Sequence, residues 1–179
     1  MIRNELELER MLGLAGCAER PEVATVSRAD PKQGVVVVAS AEELGRKWFE
    51  AMSNHDFEGA LETLADDVDF WSPAGPMRGR EEVRPFLLGY ETAFPDAVFD
   101  IKVAVGSENM TALEGTFSGK NTGPITSPAG EMPATGRDVS LPFVTVIETD
   151  GEHITSHHAY WDQMGFMAQL GLMPEQASA

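Results

Sequence analysis

The apolar residues of this chain change their spacing at Phe94-Pro95-Asp96, and this change limits the fold more than any other feature of the sequence. Over most of residues 41–93 they recur three and four positions apart, which is the spacing of one face of a helix. From residue 99 onwards they alternate with polar residues, which is the pattern of a strand with one buried face. Helices that precede a set of strands predict an α+β domain with an antiparallel sheet, not an alternating βαβ plan.

Turn and capping residues divide these two halves into elements. Asp56 is a candidate N-cap, and Gly171 ends the last helix. Thr149-Asp150-Gly151 is typical of a hairpin between two strands. Helices are expected at about 41–52, 57–64, 80–93 and 163–170, and strands at about 68–71, 99–105, 113–118, 139–147 and 153–161. The irregular stretch at 119–136 is expected to be either the rim of a pocket or a disordered loop.

Residues 1–40 differ from the rest of the chain and are interpreted as an N-terminal arm, with one α+β domain at 41–179. The arm is nearly neutral, so the acidic excess lies almost entirely in the domain. A short helix is expected at 5–14. The four valines at 35–38 predict a strand, because β-branched side chains suit a pleated surface. We expect the arm to pack on a neighbouring subunit.

The charge of the chain excludes several classes of partner. With 29 acidic and 13 basic residues its net charge is -16, so it repels phosphate backbones and anionic lipids. No apolar run approaches the roughly 20 residues that a membrane-spanning helix needs.

The single cysteine, Cys17, excludes an intrachain disulfide, and the first residues lack the basic start and apolar core of a secretion signal. We therefore expect a cytoplasmic protein that binds neither nucleic acid nor membranes.

The last predicted strand holds the candidate acid/base residues. Alternate side chains of a strand share a face, so His158, Tyr160 and Asp162 form one polar line that begins at Ile154. His157 points to the opposite face from His158. His153 and His157 share a face but lie roughly 13 Å apart, at about 3.3 Å per residue. Neither pair of histidines can therefore chelate a metal ion, and no metal site is expected.

Each of these residues also has a structural interpretation. Asp162 directly precedes the last predicted helix, where its carboxylate would cap free backbone N–H groups. His158 would be a satisfied core or interface histidine. The aromatic residues Trp48, Trp71 and Tyr90 would be ordinary core. The sequence alone leaves the catalytic and the structural interpretations open.

Several short motifs resemble one family in their order and spacing. They are Trp48-Phe49-Glu50-Ala51-Met52, His55-Asp56, Met77-Arg78-Gly79-Arg80-Glu81-Glu82-Val83, Phe94-Pro95-Asp96, Gly119-Lys120-Asn121-Thr122-Gly123-Pro124, Pro133-Ala134-Thr135-Gly136-Arg137, Asp150-Gly151-Glu152-His153-Ile154, Tyr160-Trp161-Asp162 and Gln169-Leu170-Gly171-Leu172. Through them, residues 44–172 resemble the SnoaL-like polyketide cyclase group of the nuclear transport factor two-like superfamily. The arm lies outside the resemblance.

The resemblance implies a cone, in which a strongly curved antiparallel sheet wraps around helices and encloses an apolar pocket, usually in a homodimer or higher homo-oligomer. It also implies that Asp162, near the end of the last strand, is the acid/base. In the mechanism expected from this, His158 and Tyr160 donate hydrogen bonds to the developing oxyanion. The other residues expected to contact substrate are Trp48, Trp71, Tyr90, Phe117, Asn121, Phe143 and Tyr160. Relatives often have histidine where Asn121 stands, so this chain departs from the pattern there.

The expected activity is a cofactor-free cyclization or isomerization of a hydrophobic, polyketide-like carbonyl compound. A base removes a proton next to one carbonyl, the enolate attacks a second carbonyl, and the proton returns to the new alkoxide. Two alternatives remain open. One is a related hydrolase or dehydratase, and the other is a non-catalytic module of the same fold that binds a small molecule or supports assembly.

Overall fold

The computed structural model describes residues 39–127 and 130–173, which contain four helices and eight strands. The helix expected at 5–14 and the strand expected at 35–38 lie outside the described residues, as does most of the proposed arm. Among the described residues, no helix is both long enough and apolar enough to cross a membrane.

The helices lie where the 3.6-residue spacing predicts them. They are α1 (Ala41–Ser53), α2 (Phe57–Glu62), α3 (Gly79–Ala93) and α4 (Gln163–Leu170). A capping box starts α1: the Ser40 hydroxyl accepts a hydrogen bond from the Glu43 N–H at 3.2 Å, and the Ser40 N–H donates to the Glu43 carboxylate at 2.8 Å. As predicted, Asp56 caps α2, and Gly171, with φ of 71°, ends α4 in the left-handed conformation.

Six of the eight strands form one curved sheet in the order β2-β1-β8-β7-β4-β3, and β5 pairs with β6 separately. The strands are β1 (Leu64–Ser72), β2 (Gly75–Arg78), β3 (Val98–Gly106), β4 (Met110–Lys120), β5 (Ile125–Ser127), β6 (Gly130–Met132), β7 (Asp138–Thr149) and β8 (Ile154–Trp161). The α+β architecture predicted from the spacing of apolar residues is confirmed.

Two features of the sheet differ from the prediction. The pairing of β1 with β8 is parallel, whereas the other described pairs are antiparallel. The Pro- and Gly-containing segment after Ser72 turns back as β2, and the stretch expected to be irregular contains β5 and β6. These strands are three or four residues long, which is too short for alternation to stand out in the sequence.

The core lies between the concave face of the sheet and the helices α1 and α3. Helix α1 approaches the sheet closely at Gly45, where an added Cβ would lie 2.7 Å from a methyl carbon of Leu113 and 2.8 Å from one of Ile147. One face of α1 buries Leu44, Trp48 and Met52. Helix, sheet and aromatic side chains thus enclose a common interior, and part of that interior is hollow.

The last strand contains a β-bulge that reverses the phase of its side chains. Across β7 and β8, Glu148 pairs with Ser156, but the next residue of β7, Thr149, pairs with Ile154. Thr155 is therefore an extra residue on β8. Because of it, both Ile154 and His157 point into the core, with 0% and 2% exposure. An unbroken alternation from Ile154 would instead have placed His158 inside.

Candidate functional site

The hollow part of the core is a cavity with about 560 Å³ of empty space, a volume that includes space open to solvent at its mouth. Its walls are almost entirely apolar and are rich in aromatic rings. The lining residues are Trp48, Phe49, Met52, Phe70, Ser72, Phe86, Leu87, Tyr90, Phe99, Phe117, Leu141, Phe143, His157, Ala159 and Trp161. Apolar, aromatic walls of this kind suit a small hydrophobic molecule.

The residue spacing of each helix and strand places these side chains on the face that lines the cavity. Helix α3 contributes Phe86 and Tyr90, four positions apart on one face, with ring centroids 5.1 Å apart. Strands contribute alternate residues, such as Leu141 and Phe143 from β7. In β8 the bulge places His157, Ala159 and Trp161 on the inner face. The helices and the sheet therefore wall the cavity from opposite sides.

His157 is the only histidine among the lining residues, and it is nearly fully buried, with 2% exposure. Its ring is stacked on that of Phe70, with centroids 4.6 Å apart and planes 1° from parallel, and Trp48 lies 5.2 Å away. Nε2 lies 3.4 Å from the Thr145 hydroxyl. Among the described residues, Nδ1 has no hydrogen-bond partner.

Burial holds the imidazole of His157 in its neutral form. Desolvation is the main cause that lowers the pKa of His157 to about 3, and the nearby His158 lowers it further. The approach of the ring to its own backbone carbonyl acts in the opposite direction. At neutral pH the ring is therefore an uncharged group that can form hydrogen bonds inside an apolar cavity.

Two further polar groups, Tyr90 and Ser72, line the cavity. Desolvation raises the pKa of Tyr90 above its usual range, so its phenol stays protonated and can donate a hydrogen bond. The tyrosine ring meets that of Phe117 edge to face, with centroids 5.8 Å apart. The Ser72 hydroxyl oxygen accepts from the Ala74 N–H at 3.2 Å, and its own hydrogen can serve a ligand. None of the lining residues carries a charge near pH 7.

Four of the residues predicted to contact substrate line the cavity, namely Trp48, Tyr90, Phe117 and Phe143. They come from α1, α3, β4 and β7. The aromatic wall is completed by five residues that were not predicted as contact residues, namely Phe49, Phe70, Phe86, Phe99 and Trp161. Phe49 directly follows Trp48 in α1, and Phe70 alternates with Val68 in β1, so a stricter use of periodicity would have found both.

Asp162 and His158, the two predicted catalytic residues, lie outside the cavity. Asp162 is exposed and caps α4, since its Oδ1 accepts from the Gly165 N–H at 2.9 Å. His158 points to the convex face of the sheet, where its Nε2 lies 3.5 Å from Oδ2 of Asp69. Both residues lie outside the cavity because the bulge at Thr155 moves every later residue of the strand to the opposite face of the sheet.

Trp71 and Tyr160, which were also expected to contact substrate, lie on the same convex face as His158. Their rings are 5.0 Å apart, and Tyr160 is 47% exposed. Trp71 pairs with His158 across β1 and β8 in the parallel register. These three residues therefore form one outer surface of the sheet and do not reach the cavity.

Asn121 is fully buried but is not a cavity residue. Its Nδ2 donates to the carbonyl oxygens of Ala93 at 3.2 Å and Gly123 at 2.8 Å. Its Oδ1 accepts from the N–H of Thr135 at 2.8 Å and from the hydroxyl of the same residue at 3.0 Å. The amide thus joins the end of α3 to the segments that follow β4 and precede β7. This is a structural position, in which the amide's hydrogen-bonding groups are satisfied.

A metal site is not apparent in the part of the chain that the structure describes. Within 39–127 and 130–173, no three His, Cys, Asp or Glu side chains are grouped so that they could hold an ion. The polar side chains that line the cavity include those of His157, Tyr90 and Ser72.

Comparison with known proteins gives one family match and several similar folds. A family profile described as SnoaL-like domain matches residues 45–157. No curated protein sequence matches the chain. AclR, a proposed hydroxylase from Streptomyces galilaeus, is 19% identical with a TM-score of 0.64, over 75% of this chain and 87% of that chain.

Two further solved structures support the same assignment of fold. A proposed polyketide cyclase from Xanthomonas campestris is 23% identical with a TM-score of 0.64, over 73% of this chain and 96% of that chain. A hypothetical protein with a ketosteroid isomerase-like fold from Catenulispora acidiphila, in complex with trimethylamine, is 21% identical with a TM-score of 0.62, over 78% of this chain and 100% of that chain. At these identities the likeness shows a shared fold.

Proposed function

The chain belongs to the SnoaL-like domain family, and from this premise we propose that it is a cyclase- or isomerase-type enzyme that acts on a hydrophobic carbonyl compound in the central cavity. The observation that carries this proposal is the position of His157. It is a buried imidazole in the wall of an almost entirely apolar, aromatic cavity, and one of its ring nitrogens has no hydrogen-bond partner among the described residues. An acid/base group and a shaped apolar space are the two requirements of the reaction.

In the proposed reaction, His157 takes a proton from the position next to a substrate carbonyl and returns it to the alkoxide formed on ring closure. This gives His157 the role that the resemblance assigned to Asp162. The phenol of Tyr90 is available to donate a hydrogen bond to a developing oxyanion. The aromatic walls fold the substrate so that its two reacting carbons meet, and this positioning supplies much of the rate enhancement.

The low pKa of His157 opposes proton uptake in the empty cavity, but the reacting substrate changes that balance. The pKa is lowered mainly because a buried imidazolium ion lacks water. An enolate that forms beside the ring supplies an opposite charge in a medium of low dielectric constant, and such a charge favours the protonated imidazole. We therefore expect His157 to be protonated only while an anion lies beside it.

Solvent deuterium exchange tests this proposal without knowledge of the natural substrate. We expect the wild-type protein to accelerate exchange of the hydrogens next to the carbonyl of 2-tetralone in D₂O, followed by NMR. His157→Phe should reduce the acceleration by roughly 100-fold, the scale of general-base catalysis. Asp162→Ser, which keeps a capping oxygen, should leave it unchanged. Retained exchange in His157→Phe together with its loss in Asp162→Ser would contradict the assignment.

A non-catalytic binding function is the second candidate. It is favoured by one specific observation, that both titratable groups in the cavity wall, His157 and Tyr90, have pKa values shifted towards their neutral forms. A binding protein needs the apolar cavity but not a base of matched strength. Saturable binding of 2-tetralone with no acceleration of exchange would support this second function over the first.

A further inference from the structure

Trp161 extends from the wall of the cavity to the surface of the molecule. It is the last residue of β8, and its half-buried side chain is among those that line the cavity. Its indole N–H donates to Oε1 of Gln163 at 2.8 Å. Gln163, the first residue of α4, is exposed. One end of the indole therefore reaches an exposed side chain while the ring lines an apolar space, which places Trp161 at the mouth of the cavity.

The sheet borders Trp161 on one side only. On that side Trp161 pairs with Phe143 of β7. On the other side, the parallel pairing of β8 with β1 ends at His158, opposite Trp71, and β1 itself ends at Ser72. Among the described residues, no strand pairs with Trp161 on this second side. The indole is therefore less confined by the sheet than a ring in the middle of β8, and its bond to Gln163 matters more for its orientation.

The bond to Gln163 favours one orientation of the indole. The indole nitrogen is a donor only, and in the part of the chain that the structure describes its partner is the Gln163 side chain. A rotation of the ring away from the mouth would break this bond. Because the loss of a typical hydrogen bond changes an equilibrium by roughly five-fold, the fraction of molecules with the ring rotated away should depend on Gln163 by about that factor.

We propose that Gln163 is a positioning residue that holds Trp161 across the mouth of the cavity, and that a hydrophobic ligand enters and leaves when this bond opens. The empty and the occupied protein both keep the bond, so it governs the rates of entry and release and not the affinity. Gln163 thereby sets how long a ligand stays in the cavity. The inference goes beyond the proposed reaction and rests on it only in taking the cavity as the ligand site.

Stopped-flow fluorescence with 2-acetonaphthone measures both rates. We expect Gln163→Leu, which removes the acceptor, to raise the association and dissociation rate constants together by roughly five-fold, with the dissociation constant unchanged. Gln163→Glu keeps an acceptor oxygen and should retain the wild-type rates. Gln169→Leu is the matched control in the same helix, because the Gln169 side chain bonds to the backbone of Ser140 and not to a cavity residue.

A double-mutant comparison tests whether Gln163 acts through Trp161. Trp161→Phe keeps an aromatic ring but has no N–H to donate, so adding Gln163→Leu to it should change neither rate constant further. Unchanged rates in Gln163→Leu, or a change in its dissociation constant alone, would overturn the proposal. Equal effects in Gln169→Leu, or a wild-type protein that does not bind 2-acetonaphthone, would overturn it as well.

These rates fail separately from the proposed reaction. A protein that exchanges the hydrogens of 2-tetralone, but whose binding rates do not respond to Gln163→Leu, would contradict the role of Gln163 and support the catalytic function. A protein with the expected changes in rate but no exchange would do the reverse.

Discussion

Two neighbouring histidines in one strand have different environments, and the difference defines the candidate site. His157 is buried in the cavity wall among Trp48, Phe49 and Phe70. His158 lies on the convex face, with its side chain 35% exposed and within 3.5 Å of Asp69. Because adjacent strand residues point to opposite faces, one residue of register decides which of the two can meet a ligand.

The buried imidazole makes stability depend on pH in a defined window. In the unfolded chain His157 should titrate near 6.5, whereas in the folded protein its pKa is lowered to about 3. The unfolded state thus binds the extra proton first, so the stability contribution is complete above pH 6.5 and is lost as the pH falls towards 3. At pH 5 the loss amounts to roughly 2 kcal/mol.

Urea unfolding at pH 8 and pH 5 measures this effect. His157→Phe removes the group, so we expect roughly 2 kcal/mol less acid destabilisation than in the wild type over this interval. His158→Gln is the matched control on the opposite face, and should keep the buried-histidine effect. An equal pH dependence in wild type and His157→Phe would show that the ring is not held neutral by burial.

Asp162 gives a second prediction at the scale of one residue. Its carboxylate accepts from the Gly165 N–H at the start of α4, so Asp162→Ala should destabilise the protein by about 1 kcal/mol through loss of the N-cap. Thermal unfolding measures the change, and Asp162→Ser should recover most of it. Binding of hydrophobic ligands should be unaffected by either variant. A large loss of binding in both would mean that this carboxylate reaches the ligand.

At the scale of elements, local patterns predicted most of the fold. The helices, the long strands and the caps at Asp56 and Gly171 all have signals within a few residues of sequence. The aromatic residues of α1 and α3 that line the cavity were likewise accessible from helical periodicity. The short strands β2, β5 and β6 and the parallel pairing of β1 with β8 were not, because pairing depends on contacts between distant segments.

The face of β8 could not be predicted for a specific physical reason. The bulge at Thr155 depends on the pairing register between β7 and β8, and no residue type within the strand predicts it. Without the bulge, the apolar Ile154 would place His158, Tyr160 and Asp162 inside. With it, His157 and Trp161 take that place. A single inserted residue therefore moves the candidate site from one set of side chains to the other.

The connection between α3 and the end of β4 depends on Asn121. Its side chain forms four hydrogen bonds and is fully buried. Asn121→Ala leaves backbone groups of Ala93, Gly123 and Thr135 without this partner, so we expect a loss of about 2–4 kcal/mol in unfolding free energy. Lys120→Ala, at the exposed neighbouring position, should change it by less than about 0.5 kcal/mol. Comparable losses in both variants would contradict the structural role of the amide.

At the scale of the whole molecule, charge and cavity chemistry favour the same kind of ligand. The chain carries a net charge of -16, and no lysine or arginine is among the residues that line the cavity. An anionic ligand would be repelled on approach and would be buried without a counter-ion. The cavity should therefore prefer neutral molecules, a property that follows from the structure whether or not catalysis occurs.

A near-isosteric pair measures this preference. 2-Acetonaphthone and 2-naphthoate differ mainly in a methyl ketone against a carboxylate, and we expect the neutral ketone to bind at least ten-fold more tightly at pH 7. Isothermal titration calorimetry at low and high salt gives both affinities. Added salt should reduce the difference between the two affinities, because it screens the long-range repulsion of the carboxylate. A preference for the ketone should nevertheless remain at high salt. Tighter binding of the carboxylate would mean that a cation reaches the cavity.

The measurement that tests the central claim most directly is an NMR titration of the histidine ring signals with a neutral aromatic ligand such as 2-acetonaphthone. His157 and His158 are adjacent in the chain and face opposite sides of the sheet, so each is the internal control for the other. If the cavity is the site, the ring signals of His157 move saturably while those of His158 stay in place. Movement of His158 alone, or of neither ring, would contradict the assignment of the site to the concave side of the sheet.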